Sequence, residues 1–308
     1  MKDARAPFFC VLGSINMDLV TRVERFPRPG ETLSGRSFQL FPGGKGANQA
    51  VALARLGGRV AMVGARGNDA LGAQYDGVLQ NAGVDTSGVA VVEASTGTAT
   101  IVVDARGENF ILVVEGANAA VTPAYVERHQ KAFAGADALL LQLEVPLESV
   151  VLAARLAKRA GTRVILDPAP ARELPDELLA HVDILTPNET EAMILTGLDT
   201  KDEEGIRRAA EKLLARGAGR VIVKAGARGA YLAGPGSFVR VPGFAVKTVD
   251  TVAAGDSFNA GLAFALGEGR ALTDAVRFAN AVAGLSTTKE GAQSAMPVLA
   301  EVLELLKT

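Results

Sequence analysis

The stretch ALLLQLEVPLESVVLAARLAKRAGTRVILDPAPA, residues 138–171, decides the fold class. Ala138–Leu143 is a short apolar run, and Leu147–Ala160 carries apolar residues at helical spacing. Arg163–Leu166 is a second short apolar run. Neither run alternates with polar residues, so both read as strands buried on two faces, joined by a crossover helix. The same rhythm continues downstream. Ile184–Thr186 and Arg220–Lys224 read as further strands, with helices at Asn188–Thr196 and Asp202–Arg216. Three more helices are expected near Ala254–Leu266, Leu272–Ser286 and Val298–Lys307. Upstream, Phe8–Leu12 reads as a buried first strand. The expectation is an α/β fold with a parallel sheet covered by helices on both faces.

Two stretches, Asp18–Pro42 and Thr96–Ala117, lack a convincing helix but contain strand-like patterns such as Thr98–Val103 and Phe110–Val114. Asp104-Ala105-Arg106-Gly107-Glu108 between the last two reads as a hairpin turn. Two distant β insertions pair most simply with each other, into a small sheet over the strand C-terminal ends where ligands bind. Such a sheet is either a lid or an edge decoration.

Composition narrows the function. Of 308 residues 48% are apolar, and 32 Lys and Arg face 34 Asp and Glu, for a net charge of −2. Without a basic face, nucleic acid is not an expected partner. One cysteine, Cys10, excludes an internal disulfide, and His129 and His181 are too few for a zinc site. No window approaches 18 uninterrupted apolar residues, so no membrane span is expected and the chain reads as cytoplasmic.

Asp250-Thr251-Val252-Ala253-Ala254-Gly255-Asp256-Ser257-Phe258-Asn259 precedes an apolar helical pattern. Small residues at 253–255 admit a ligand to the backbone, and the first-turn N–H groups of a helix suit an anion. Asp256 in that turn either accepts a proton from a hydroxyl nucleophile or simply stabilises the helix terminus. Pro42-Gly43-Gly44-Lys45-Gly46-Ala47-Asn48-Gln49 opens a helix ending near Leu56 and is neither a P-loop nor a GxGxxG motif. It suits a neutral, hydroxyl-rich ligand, or a tight turn. Asn16, Asp18 and Glu144 follow strands where ligand contacts fall. Asn188 and Glu191 also fit a capping box, and Lys224–Gly229 fits a phosphate loop or a plain turn.

Taken together and in order, these motifs resemble the phosphofructokinase-B family of carbohydrate kinases. The resemblance runs from Leu12-Gly13-Ser14-Ile15-Asn16 to Gly291-Ala292-Gln293, through Leu141–Glu144, Asp167–Ala171 and Thr186–Glu191. It implies a three-layer, parallel-sheet ribokinase-like fold, one kinase domain over residues 1–308, and a β lid from about 18–42 and 96–117. It implies phosphorylation of D-ribose by MgATP at the 5-hydroxyl. Asp256 would be the base, kept ionised by the helix terminus, and the backbone N–H groups at 253–256, those of Ala253, Ala254, Gly255 and Asp256, the anion hole. Ser14, Asn16, Asp18, Gly43, Gly44, Lys45, Asn48 and Glu144 would bind the sugar. Asn188, Lys224, Gly226, Arg228, Gly229, Gly255 and Asn280 would border ATP, with Glu191 supporting magnesium and phosphate.

A potassium ion is implied beside the anion hole, held by Asp250, Val252, Ser286, Lys289, Gly291 and Ala295. A homodimer through the lids is expected because a small uncovered sheet leaves an exposed face and edges. Two positions depart from the family pattern: Lys224, where Thr or Ser is usual, and Ala295, which offers no side-chain oxygen. Alternatives are another sugar or nucleoside, such as deoxyribose, fructose or adenosine, or a sugar sensor without catalysis. A phosphorylated sugar fits poorly, because Asp18, Glu144 and Asp256 would repel its phosphate.

Overall fold

The computed structural model describes residues 6–308, so the first five residues of the expected 1–308 domain lie outside it. The chain opens with β1 (Phe8–Leu12), β2 (Asn16–Arg22), β3 (Ser37–Gly43), α1 (Lys45–Arg55), β4 (Arg59–Gly67), α2 (Ala70–Asn81) and β5 (Val84–Val92). There follow β6 (Gly97–Val103), β7 (Asn109–Val114), α3 (Pro123–His129), β8 (Ala138–Leu141), α4 (Leu147–Arg159), β9 (Arg163–Leu166) and α5 (Asp176–Leu179). Then come β10 (Ile184–Leu185), α6 (Glu189–Thr196), α7 (Glu203–Ala215), β11 (Val221–Lys224), β12 (Ala230–Gly234) and β13 (Ser237–Val241). The chain closes with α8 (Ala254–Gly267), α9 (Leu272–Ser286) and α10 (Leu299–Leu305).

Nine strands form the main sheet in the order β13-β12-β11-β10-β9-β8-β1-β4-β5. Every pair from β11 to β5 is parallel, while β12 and β13 add an antiparallel hairpin at one edge. The sheet is mostly parallel, as expected; at that edge a short turn at Gly234–Ser237 folds the chain back instead of sending it through a crossover helix.

The strands are apolar throughout because both faces are covered. One face packs Cys10, Leu12, Leu139 and Leu141 against α3, α4, α5, α6 and α7. The other packs Phe9, Val11, Leu140 and Ile165 against α1, α8, α9 and α10. Each such buried side chain contributes roughly 1.5–3 kcal/mol of transfer free energy. Helix starts follow local chemistry: the Asp202 carboxylate caps α7 through the Gly205 N–H at 2.8 Å, and Asp69 caps α2 through Gly72 at the same distance.

The two β insertions do pair into a separate sheet of order β3-β2-β6-β7. Its centre is a parallel pair, β2 with β6, flanked by antiparallel β3 and β7. The turn at 104–108 is built by Asp104, whose carboxylate accepts the N–H groups of Arg106 and Glu108. β2 follows directly after β1, so this sheet springs from the strand end that carries the polar cluster described next. Among the described residues, no helix is long and apolar enough to cross a membrane.

Candidate active site

Asp256 lies in the first turn of α8 with its side chain 5% exposed. Two amides of α1 grip it: Asn48 Nδ2 donates to Oδ2 at 3.0 Å, and Gln49 Nε2 to Oδ1 at 3.1 Å. Adjacent residues of one helix can both be buried here because α1 is wedged between α8 and the sheet. The turn before α8 is tight. Ala253 has φ 58°, the left-handed region, and is the one non-glycine residue with positive φ among those described. That conformation costs an alanine of order 1 kcal/mol and presents the helix terminus to the cleft. The N–H of Ala254 is engaged by the carbonyl of Thr251 at 3.3 Å. Among the described residues, the amides of Ala253, Gly255 and Asp256 have no protein acceptor. Of four N–H groups expected to face an anion, three are therefore available, and the fourth closes the turn.

The helix terminus favours the Asp256 carboxylate, but burial works against it. Burial raises its pKa to about 6, opposed by the Lys45 charge and the Asn48 and Gln49 hydrogen bonds, and assisted by the Asp167 carboxylate. It stays largely ionised at neutral pH, poised close to it.

The residues expected to bind a sugar gather on the side of Asp256 that faces the small sheet. Ser14 Oγ and the Lys45 backbone N–H, the latter at 3.0 Å, both donate to Glu144 Oε2. Gly44, at φ 84°, lies so close to Ser14 and Asn16 that a β-carbon would sit 2.6 Å from the Asn16 nitrogen. A β-carbon on Gly43 would fall 2.4 Å from Asp18 Oδ2, so glycine there makes room for that carboxylate. Burial, together with Glu144 and Asp256, raises the pKa of Asp18 to about 7, with Lys45 opposing. Burial alone would favour the neutral amine of Lys45, but the carboxylates of Asp256, Glu144, Asp167 and Glu191 outweigh it and hold the ammonium above its ordinary pKa.

On the other side of Asp256 a cleft of about 760 Å³ runs over the ends of the strands. Lys45, Asn188, Lys224, Gly226, Gly229, Gly255 and Asn280 all border it, so most of the expected nucleotide residues converge. Arg228 does not line it; its guanidinium is tied to Glu189. Asn188 and Glu191 form the capping box of α6, with Asn188 Oδ1 accepting from Glu191 N at 2.8 Å and the Glu191 carboxylate accepting from Asn188 N at 2.7 Å. Asn280 Nδ2 donates to the carbonyls of Val241 and Pro242, both at 3.0 Å.

The two segments expected to flank a cation do meet. Asp250 Oδ2 accepts the Gly291 N–H at 2.9 Å and its Oδ1 accepts that of Val252 at 3.0 Å, while Val249 N donates to the Thr287 carbonyl at 2.7 Å. Asp250 thus caps its own turn and ties it to the 286–295 segment. Ser286 Oγ and Lys289 Nζ are engaged elsewhere, with Ala283 and Glu301, and Ala295 is fully buried.

Several partners carry no role in the sequence reading. Gln49 bridges Asp256 and Asp167, and Gln142 Nε2 fixes its amide by donating to Gln49 Oε1 at 2.6 Å. Asn118 holds Asn16 at 2.7 Å, and Gln293 ties Asn48 at 3.1 Å to Tyr75 at 2.7 Å. Gln49, Gln142, Asn118 and Gln293 are all buried polar residues, and the sequence marks one of them in Gln142, which interrupts the apolar run Ala138–Leu143.

This fold and this arrangement belong to a known class. Residues 6–299 match the pfkB family carbohydrate kinase profile, and the chain is a member of that family. It is 45% identical over 298 residues to the ribokinase of Haemophilus influenzae, covering 96% of this chain and 97% of that protein. The structure of Arabidopsis thaliana ribokinase complexed with ribose and ATP matches it with a TM-score of 0.94 at 38% identity, over 99% of this chain and 100% of that one. A deoxyribokinase of Salmonella typhi is 38% identical over 298 residues, covering 96% and 97% of the two chains.

Proposed function

We propose that this protein transfers the γ-phosphoryl group of ATP to the 5-hydroxyl of D-ribose, giving ribose 5-phosphate and ADP. One observation carries the reading: a buried carboxylate, Asp256, stands at a helix terminus with unpartnered N–H groups, between a hydroxyl-binding cluster and an open cleft. A hydroxyl held by Asn16, Asp18, Gly43, Gly44, Lys45, Asn48 and Glu144 presents its proton to Asp256 as it attacks. Transfer depends mainly on positioning and charge stabilisation, so a weak base suffices. Backbone N–H groups of Ala253, Gly255 and Asp256 stabilise the charge growing on the transferred oxygens.

Among the described residues no group of three or more His, Cys, Asp or Glu side chains forms a metal cage. That fits Mg²⁺, which keeps several waters and is bound through substrate phosphates and one or two carboxylates. Glu191, at the cleft wall, is the carboxylate proposed to support it, and Mg²⁺ supplies charge neutralisation for the phosphates.

The small sheet acts as a lid over the sugar within a single kinase domain, excluding water during transfer. Phe110, Ile111, Leu112, Val113 and Val114 of β7 are 49–58% exposed, an apolar edge that suits a second copy of the chain and a homodimer through the lids. Potassium is proposed between the Asp250–Val252 turn and the 286–295 segment, where carbonyls of Val252, Ser286, Lys289, Gly291 and Ala295 would complete the Asp250 carboxylate. It would fix the turn that aims the anion-hole amides. The enzyme works in the cytoplasm, where its single free cysteine and its co-substrate are at home.

The likeness to a deoxyribokinase favours deoxyribose as the second reading. ADP release measured with ribose, deoxyribose, fructose and adenosine separates them: ribose gives the highest kcat/KM. A higher value for any of the others reassigns the substrate, and release with none of them refutes the kinase reading.

A further inference from the structure

Beyond Asp256, a second carboxylate is buried in the same place. Asp167, at the end of β9, is 3% exposed. Its Oδ1 pairs with Lys224 Nζ at 2.9 Å, and its Oδ2 accepts from Gln49 Nε2 at 3.3 Å. That same nitrogen donates to Asp256 Oδ1 at 3.1 Å. Gln49 Oε1 is held by Gln142, so the amide cannot turn over without losing that bond. One side-chain N–H₂ therefore stands between two carboxylates, of which Asp167 forms a direct ion pair with a lysine, while Asp256 has only the more distant charge of Lys45. Lys224 comes from the end of β11, and its Nζ would lie 3.3 Å from a β-carbon on Gly255. The strand ends thus deliver a compensating cation beside the helix terminus that carries Asp256.

We propose that Asp167 and Lys224 act as one charge-neutral unit that holds Gln49 against the Asp256 carboxylate, which makes Lys224 a positioning residue for the catalytic base. The idea rests on the kinase reading given above. Its physical basis is that breaking a buried pair from one side leaves an uncompensated charge. With Lys224 neutral, the Asp167 carboxylate would pull Gln49 Nε2 toward itself and repel the Asp256 carboxylate. The charged and titratable groups facing Asp256 are Lys45 from α1, Asp18 from β2, Asp167 after β9 and the Tyr75 phenol from α2. Those facing Asp167 and Lys224 include Glu191 from α6 and Lys45. Removing Lys224 changes the balance for both Asp167 and Glu191, and a like charge close by makes Asp256 harder to ionise.

The test is a cycle of Lys224→Met, Asp167→Asn and the double variant, in the full-length protein. Two readouts are taken: the acid limb of kcat for ribose at saturating MgATP, and the thermal unfolding midpoint. Lys224→Met should move the acid limb up by about one pH unit, and Asp167→Asn should move it down. The double variant should return it to within a few tenths of a unit of the parent. The midpoint should fall in Lys224→Met and largely recover in the double variant, which reads the pair even without turnover. An acid limb that stays put in Lys224→Met overturns the proposal, as do additive effects in the double variant. So does a large rise in KM for ATP that Asp167→Asn fails to rescue, because Lys224 would then serve the nucleotide phosphates directly. Absence of ribose-dependent ADP release by the parent protein refutes the kinase reading instead, while the unfolding cycle still judges the pair.

Discussion

Two carboxylates of the site are held near neutrality, and this makes the pH dependence of sugar capture steep. Burial leads both shifts, to about 6 for Asp256 and about 7 for Asp18. In the proposed roles, Asp256 takes a proton and Asp18 accepts hydrogen bonds from sugar hydroxyls, so both must be ionised and activity should be lost as pH falls through these values. At pH 5 a group of pKa about 6 is ionised to about one part in eleven, and one of about 7 to about one part in a hundred. Together they lower kcat/KM for ribose about 1,000-fold below its plateau, whereas the Asp256 group alone would lower it about tenfold. The assay is initial velocity at limiting ribose and saturating MgATP, from pH 5 to 8.5 at constant ionic strength. The logarithmic plot should reach a slope near two. Asp18→Asn should raise KM for ribose and reduce the slope to one, leaving a single limb near pH 6. A parent profile nearly flat from pH 5 to 8.5, as carboxylates in the ordinary range would give, would refute the electrostatic picture.

Gly43→Ala should raise KM for ribose between about ten- and a hundredfold, since its β-carbon would fall 2.4 Å from Asp18 Oδ2; unchanged steady-state kinetics would show that Asp18 has room to move. Replacing potassium by tetramethylammonium at fixed ionic strength should lower the turnover rate, and equal rates in both salts across ATP concentrations would remove the cation from the account. Light scattering should give about twice the 31.8 kDa chain mass, and Leu112→Lys should give the monomer. A parent protein already monomeric at micromolar concentration would contradict the lid interface.

Much of the fold was legible because strands buried on both faces read as unbroken apolar runs. Arg163–Leu166 and Leu272–Ser286 match their elements residue for residue, and Ile184–Thr186 misses by one. The stretch from β4 to β5 is harder to see, since Gly64, Gly67 and Gly88 interrupt its apolar runs, although each lies where a β-carbon would strike a neighbouring segment. β12 and β13 escape because their short turn reverses the chain without a helix. In the site, the AlaGlyAsp turn at 254–256 marks Asp256 as the proposed base, but its acidity depends on burial beneath α1 and on Asp167, which lies 89 positions earlier in the chain. Local sequence suggests that a helix terminus favours the carboxylate, and tertiary burial reverses the sign. Arg228 shows the opposite limit: its loop is placed as expected, while its guanidinium turns to Glu189.

The central claim is that Asp256 activates the 5-hydroxyl of ribose for attack on ATP. The measurement that tests it most directly is phosphorus NMR of ribose and MgATP with the parent protein and with Asp256→Asn, alongside calorimetric ribose binding for both. The parent should yield ribose 5-phosphate, and Asp256→Asn should turn over about 10²–10⁴-fold more slowly with ribose binding retained. Phosphorylation of ribose at a comparable rate by a folded Asp256→Asn protein would contradict it.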